Sequence, residues 1–317
     1  MTYEDALRSL AAEREDVVVM TAENRAPIRN LPAALGQRFI DVGICEQTMV
    51  GAAAGLALRG RTPVVHALAT FLTMRAFEFI RTDVGIANLP VKLIGYVPGF
   101  LSEANGPTHQ AIEDIALLRG IPHMQVVCPA DETELVEALP AIVASRSPCY
   151  VRYNALPAAV EHRTPFAFGK AELLAGGYED AAGGESGEAG YESQGSQRVG
   201  LLTYGLLVGE AERARVILAA RGVPVRLLNL RTLKPIDEQA ILAAARRCRL
   251  LVTIEDHFEI GGLYSIVAEV LVRHGVSCPL HPISLGERWF TPALLPDVLE
   301  HEGFSGPRLA ARVAELL

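Results

Sequence analysis

The first half of the chain alternates short apolar, β-branched runs with longer segments of helical periodicity. Apolar runs favour strands that are buried on both faces, and intervening helices are typical of a parallel sheet with crossover connections. Thr2 and Asp5 have the spacing of a capping box, which predicts the start of the first helix. The pattern therefore predicts a doubly wound α/β domain over residues 1–156. Its predicted strands are Val17–Met20, Arg38–Val42, Pro63–Ala67, Val91–Tyr96, Gln125–Cys128 and Cys149–Arg152.

A change of composition follows this half of the chain. Residues 176–197 are rich in Gly, Glu and Ser and lack apolar periodicity, which predicts a flexible loop within a linker over residues 157–198. Strands and helices alternate again in residues 199–317, so a second doubly wound α/β domain is predicted there. Its predicted strands are Val199–Gly205, Val225–Leu230, Leu250–Ile254 and Leu280–Ser284, and its predicted helices are Val208–Ala220, Asp237–Ala245 and Gly262–His274.

Composition narrows the class of protein. A chain of 317 residues with 50% hydrophobic residues has enough apolar surface for two cores, and its net charge of −8 argues against nucleic acid as a partner. No apolar stretch approaches the ~20 residues of a membrane span, and the charged N-terminal segment lacks the apolar stretch of a signal peptide. We therefore expect a cytoplasmic protein without a membrane partner. Five cysteines without a CxxC pair predict neither disulfides nor a zinc site.

Two segments of the first half carry candidate chemistry. Glu46 follows a predicted strand and begins a predicted helix, which is where ligands bind in open α/β sheets. Its alternative role is to complement the helix dipole. Phe71, Met74 and Phe77 share one helical face beside Arg75, as either a flat binding wall or ordinary core.

A third segment, residues 104–110 (ANGPTHQ), is a predicted loop at the carboxyl edge of the sheet. It carries Asn105 and His109 around a Gly-Pro turn. A histidine in such a place suits acid–base work, because its pKa lies near neutrality.

The order and spacing of these segments resemble those of transketolases, specifically their pyrimidine-binding and C-terminal domains. The resemblance covers nearly the whole chain and includes motifs in both halves. The matching segments are GICEQ, ATFLTMRAFEFIR, GPTHQAIED, LLTYG, LNLRTLKPID and VTIEDHFEIGGL.

The resemblance implies thiamine diphosphate as the cofactor and a role for each candidate residue. Glu46 would hydrogen-bond the aminopyrimidine ring at N1′ and share a proton with it. Phe71 and Phe77 would stack on the ring, with Met74 as a softer wall. His109 would lie near the reacting carbon, bind sugar hydroxyls and move protons.

The resemblance also implies substrate contacts, with two departures. Arg75 and Arg152 match positions where the family places arginines for a sugar phosphate. Asn105 stands where many transketolases have an Asp that contacts a donor hydroxyl. Residues 94–104 lack the histidine that assists the phosphate in several members. Because of both departures, the sequence does not identify the sugar substrate.

A larger departure concerns the metal. Transketolases hold Mg²⁺ or Ca²⁺ and the diphosphate through a Gly-Asp-Gly motif of their N-terminal domain, and this sequence has no such motif. The resemblance therefore implies a split enzyme in which a separate N-terminal-half subunit holds the metal, as an α₂β₂ assembly. The pair would transfer a two-carbon ketol unit from a ketose phosphate to an aldose. Residues 255–257 (Glu-Asp-His) are interpreted as a structural motif used in subunit packing.

Three other functions stay open. The β subunit of a 2-oxoacid dehydrogenase E1 component shares the two-domain layout, the Glu and the His on a Gly-Pro turn. A synthase that makes 1-deoxyxylulose 5-phosphate is a second alternative. A non-catalytic relative that keeps the fold is the third.

Overall fold

The computed structural model describes residues 1–103, 105–176 and 198–317, so the predicted flexible loop lies outside the described residues except for Gly176. The strands are β1 Val17–Thr21, β2 Phe39–Asp41, β3 Thr62–Leu68, β4 Lys92–Tyr96, β5 Gln125–Val127, β6 Cys149–Tyr153, β7 Glu172–Ala175, β8 Val199–Thr203, β9 Val225–Asn229, β10 Thr232–Lys234, β11 Leu250–Phe258 and β12 Leu280–Leu285. The helices are α1 Tyr3–Glu13, α2 Leu31–Leu35, α3 Glu46–Leu58, α4 Phe77–Phe79, α5 Asp114–Arg119, α6 Glu132–Ala144, α7 Leu207–Ala220, α8 Glu238–Arg247, α9 Leu263–Arg273, α10 Leu295–Glu302 and α11 Gly306–Glu315.

Two sheets organise the chain, as predicted. The first has the strand order β10-β5-β6-β4-β3-β1-β2 and is parallel except for β10. The second has the order β12-β11-β8-β9-β7 and is parallel except for β7. All ten predicted strands are present, with ends that differ by a few residues.

The two antiparallel edge strands were not predicted. Strand β7 lies inside the predicted linker but joins the second sheet, and β10 belongs to the second half of the chain but pairs with β5 of the first sheet. Both are only three or four residues long, too short for a pattern of their own, so only the neighbouring strand reveals them. Strand β10 thereby ties the second half of the chain to the first sheet.

Alternating side chains bury both faces of each sheet. Val17 and Val19 of β1 pack with α1 and α6, whereas Val18 and Met20 pack with α3 and the segment that follows β3. This is the period of two that a strand imposes. One apolar cluster extends through both sheets, so the two halves share a continuous core.

Helix starts follow local chemistry. The predicted capping box is present, since the Thr2 side chain accepts from the Asp5 amide and the Asp5 side chain accepts from the Thr2 amide.

No helix in the described part of the chain is long and apolar enough to cross a membrane.

A buried guanidinium joins the two halves. Arg152 of β6 donates from Nε to Asp114 at 2.9 Å and from Nη1 to Asp256 of β11 at 2.6 Å. All three residues are at most 3% exposed. Burial disfavours the charged form, but the two carboxylates outweigh it and raise the pKa of Arg152.

This network corrects the expectation that Arg152 binds a substrate phosphate. Its donors are already taken by Asp114, Asp256 and the Ala111 carbonyl, and the side chain is closed off from solvent. The sequence motif placed Arg152 at a strand end near the site. It could not show that a strand from the second half covers that position.

Residues 255–257 are also buried inside the chain, so their predicted role in subunit packing is wrong. Glu255 accepts from the first two amides of α9 at 2.6 and 2.9 Å, and His257 Nε2 lies 3.3 Å from the Ala116 amide. Burial raises the pKa of Glu255 to about 8 and lowers that of His257 to about 4. The motif therefore packs the two halves of one chain.

The Arg152 network generates a stability prediction. Arg152→Met leaves Asp114 and Asp256 buried without a cation, so we expect a loss of about 3–5 kcal/mol in the free energy of unfolding by urea denaturation. Arg308→Met, which removes the exposed Arg308–Glu300 pair, is the matched control and should change stability far less. Equal losses in the two variants would contradict the assigned role of Arg152.

Candidate functional site

Glu46 is the first residue of α3, directly after the turn that leaves β2. Its side chain is only 2% exposed although it lies at the edge of the sheet. Asp41 at the end of β2 accepts from the amides of Glu23 and Gly43 and so fixes this turn. The Gly43 backbone has φ +71°, which favours glycine. A buried carboxyl group is thus held at the carboxyl edge of the first sheet.

The segment after β3 brings the aromatic side chains to the same edge. Residues 71–75 and 80–85 form π-helical turns around the short helix α4. Such wide turns are rare and frequent at functional sites, because they redirect side chains relative to an α-helix. Phe71, Met74 and Phe77 are all half-buried. Phe77 packs against the core, and the Met74 sulfur lies 3.7 Å from the Thr70 hydroxyl.

Arg75 connects Glu46 to Phe71. Its Nη1 donates to Glu46 Oε2 at 2.8 Å, and its guanidinium carbon lies 4.1 Å from the centroid of the Phe71 ring. The arginine side chain is 37% exposed. A planar cation therefore covers the Phe71 ring and pairs with the buried carboxylate at the same time.

His109 reaches this group from the loop after β4. Gly106 has φ +78°, and residues 107–109 form one turn of 3₁₀ helix. The His109 ring lies 5.0 Å from the Phe71 ring, edge to face at 68°. Its Nδ1 is 2.9 Å from the Thr108 hydroxyl, and within the described residues Nε2 makes no hydrogen bond.

The structure thus brings four predicted residues into one continuous group: Glu46, Arg75, Phe71 and His109. Asn105 is exposed on the same loop as His109. Arg152 belongs to a separate buried network, and within the described residues Met74, Phe77 and Asn105 make no hydrogen bond or ring contact with this group. The arrangement offers one buried carboxyl, an aromatic wall and a histidine above it, which suits a flat heteroaromatic ring that carries a basic nitrogen.

A second buried charged cluster lies at the junction of the two sheets and was missed. His162 lies between Asp131 and Glu172, at 2.9 and 2.8 Å, and Arg231 pairs with Glu134 at 2.6 Å and with Glu172 at 2.9 Å. The one hint in the sequence is that Glu172 and Arg231 stand within apolar runs. Their partners are far away along the chain, so spacing could not reveal the cluster.

The same cluster contains side chains of the types that bind metals. In the described residues, Glu134, His162 and Glu172 are the one set of three ligand-type side chains whose atoms lie within 4.8 Å of each other. Arg231 already supplies the positive charge between the two carboxylates. The two glutamates offer hard oxygens of the kind that Mg²⁺ prefers, but they are already paired with Arg231 and His162. This cluster therefore does not fit Mg²⁺, whereas the group around Glu46 suits the ring of the implied cofactor.

The sequence matches family models along most of its length. The transketolase pyrimidine-binding domain matches residues 1–156, and the transketolase C-terminal domain matches residues 187–308. A 6-deoxy-6-sulfo-D-fructose transketolase subunit of Clostridium sp. is 35% identical over 90% of this chain and 84% of that protein. A putative transketolase C-terminal section of Methanocaldococcus jannaschii is 31% identical over 99% of this chain and 94% of that protein.

Longer proteins match as well. The 1-deoxy-D-xylulose-5-phosphate synthase of Thermomicrobium roseum is 35% identical over 99% of this chain, which spans only 48% of that protein. Among solved structures, a split-gene transketolase described as an inactive β4 tetramer superposes with a TM-score of 0.84 and 30% identity, over 99% of this chain and 96% of that one. A transketolase from Pichia stipitis shares the fold, with a TM-score of 0.71 and 18% identity over 99% of this chain and 45% of that one.

Fold, site and matches define a class of protein that uses thiamine diphosphate. The chain belongs to the transketolase family, and it corresponds to the pyrimidine-binding and C-terminal domains.

The junction cluster generates a prediction of pH dependence. Burial opposes the charge on His162, but its hydrogen bonds to Asp131 and Glu172 outweigh burial and raise its pKa to about 10. The unfolded value is about 6.5. The stability that protonated His162 contributes is therefore fully present below about pH 6.5 and is lost as the pH rises through about 10.

Urea denaturation of the wild type and His162→Gln from pH 6 to pH 10.5 measures this contribution. The stability difference between the two should shrink at the alkaline end. His274→Gln, at a solvent-exposed pair with Glu238, is the control and should show no comparable trend. A constant difference for His162→Gln would contradict the prediction.

Proposed function

We propose that this chain is one subunit of a thiamine diphosphate-dependent transketolase and supplies the pyrimidine side of its active site. The supporting observation is the continuous group of Glu46, Arg75, Phe71 and His109 at one sheet edge. When bound, thiamine diphosphate supplies the carbon nucleophile that carries a two-carbon unit between sugars. The residues of this chain bind and orient it.

Glu46 is proposed as the acid–base partner of the ring nitrogen N1′. Its carboxyl is buried and held at the start of α3, so a hydrogen bond to the ring would form in a water-poor site. Phe71, Met74 and Phe77 provide the apolar wall on which the ring lies. Glu46 would hold the shared proton, and the wall would exclude water and fix the plane of the ring.

His109 is proposed to move protons on the sugar. Its ring lies against Phe71 edge to face, and its Nδ1 is next to the Thr108 hydroxyl, so Nε2 is proposed as the nitrogen that meets a hydroxyl of the donor sugar. Asn105, exposed on the same loop, is proposed to contact the sugar.

The diphosphate and its Mg²⁺ or Ca²⁺ are proposed to belong to a separate N-terminal-half subunit, in an α₂β₂ assembly. Two observations support this. Among the described residues, the one cluster of three ligand-type side chains is already paired with Arg231, and the Clostridium relative is itself a transketolase subunit of similar length. We further propose a ketose phosphate as donor and a cytoplasmic location.

The decisive test co-expresses this chain with an N-terminal-half subunit and assays two-carbon transfer from a ketose phosphate to an aldose, with thiamine diphosphate and Mg²⁺. We expect the pair to be active and the single chain to be inactive. Glu46→Gln, which preserves size but cannot ionise, should lower kcat by at least about 100-fold.

Other outcomes would replace the proposal. Activity only with pyruvate and glyceraldehyde 3-phosphate would favour the synthase function, to which the Thermomicrobium relative at 35% identity points. Decarboxylation of 2-oxoacids without sugar transfer would favour an E1 β subunit. A pair that binds the cofactor yet catalyses none of these reactions would indicate a non-catalytic relative.

Arg75 generates a prediction about cofactor affinity. Its guanidinium contacts both Glu46 and Phe71, the groups proposed for the ring, so it must swing aside when the ring binds. Because the arginine is 37% exposed, we take the pair as partly solvated, with a contribution of about 0.2–1 kcal/mol, so Arg75→Gln should lower the Kd of thiamine diphosphate up to about fivefold. Released from Glu46, Arg75 is free to bind the sugar phosphate, and the variant should therefore have a higher KM.

Isothermal titration calorimetry of the assembled pair with thiamine diphosphate and Mg²⁺ measures this affinity. Arg81→Gln removes an exposed arginine from the same segment and serves as the matched control. Weaker cofactor binding by Arg75→Gln than by the control would mean that Arg75 holds the ring rather than gives way to it.

A further inference from the structure

The loop that carries His109 is held by the second half of the chain. Three hydrogen bonds join residues 103–110 to residues 290–295, the segment that leads into α10. The Gln110 side-chain amide donates to the Phe290 carbonyl at 2.9 Å, and the Ala293 amide donates to the Glu103 carbonyl at 2.9 Å. The Leu295 amide donates to the Glu103 carboxylate. These contacts lie on both sides of His109 in the sequence.

Glu103 caps a helix that belongs to the other half. Leu295 is the first residue of α10, and the residue before it, Leu294, has no side chain that could accept from the exposed helix amides. A carboxylate at a helix N-terminus satisfies such an amide and interacts favourably with the helix dipole. The α10 helix therefore depends on Glu103 for its start, and Glu103 is fixed by α10.

Packing supports the same junction. The Phe100 ring contacts Phe290 and Phe304, with centroids 5.1 and 4.9 Å apart. A side chain on Gly106 would meet Pro292 at 3.4 Å, so the Gly-Pro turn lies directly against the second half. Gln110 is 1% exposed, which leaves its amide no solvent to bond instead of Phe290.

We propose that residues 290–295 position the His109 loop for catalysis, with Glu103 and Gln110 as the positioning residues. The inference rests on the proposed function, in which His109 moves protons on the sugar. It assigns the C-terminal domain a share in the chemistry although that domain contributes no residue to the group around Glu46. A loop that carries an acid–base group must hold it closely, since a misplacement of about 1 Å can cost about 100-fold in rate.

The test uses the assembled pair and compares Glu103→Ala with Glu103→Gln. The alanine variant loses the acceptor for the Leu295 amide, whereas the glutamine variant keeps one. We expect Glu103→Ala to lower kcat about 10- to 100-fold, with the Kd of thiamine diphosphate unchanged within about twofold. Glu103→Gln should stay within about threefold of the wild type. Gln110→Leu, which removes the donor to Phe290 at similar size, is the second variant.

Asp237→Ala is the matched control. Asp237 caps α8 through the Ala240 amide at 3.0 Å, so its loss removes an acidic helix cap that does not contact the His109 loop. Hydrogen exchange of peptides covering residues 100–112 provides a readout besides activity. Exchange in this region should rise in Glu103→Ala and Gln110→Leu and stay at the wild-type level in Asp237→Ala.

With an active pair, two results would overturn the proposal. One is faster exchange at residues 100–112 with unchanged kcat, which would show that a loosened loop still works. The other is an equal fall of kcat in Asp237→Ala, which would indicate general destabilisation. If the wild-type pair transfers no two-carbon unit, the proposed function is wrong, whether or not residues 290–295 hold the loop. Exchange then still decides whether residues 290–295 hold the loop, and unchanged exchange in both loop variants would refute it.

Discussion

The whole arrangement depends on one buried cation between two carboxylates. Arg152 lies between Asp114 and Asp256, and each of the three belongs to a different part of the fold: β6, α5 and β11. An unpaired charge in such a place would cost several kcal/mol, so none of these elements can move away without loss. Asp256 also lies close to the backbone at Gly99. A side chain on Gly99, which has φ +58°, would lie 1.7 Å from an Asp256 oxygen.

That constraint sets the geometry of the candidate site. Gly99 begins the segment that leads to His109, so Asp256 packs against its start, while residues 290–295 bond to Glu103 and Gln110 on either side of His109. The other side of the site depends on local features of the first sheet, namely the turn before α3 and the π-helical turns after β3. Both halves of the chain thus contact the candidate site, although the side chains of its group all come from the first.

The candidate site offers groups that suit one part of the proposed cofactor, its ring. It has a buried carboxyl, aromatic rings and a histidine, which suit a flat ring with a basic nitrogen. Among the described residues, the one cluster of three ligand-type side chains lies elsewhere and is already paired with Arg231. The two buried charge clusters serve the fold, since each joins strands that are far apart in sequence.

Apolar periodicity by itself determined ten strands, their crossover helices and the two-sheet organisation, because a parallel strand buried on both faces needs an apolar run. Motif order determined that Glu46, Phe71 and His109 belong together, since each follows a strand whose carboxyl end lies at one edge. Only the tertiary structure decided which distant strands and side chains of the chain meet. The short edge strands β7 and β10, the pairing of Arg152 with Asp256 and the attachment of the His109 loop to residues 290–295 all join distant parts of the chain. Sequence periodicity reports which residues are buried within an element, but it carries no information about which distant residue meets them.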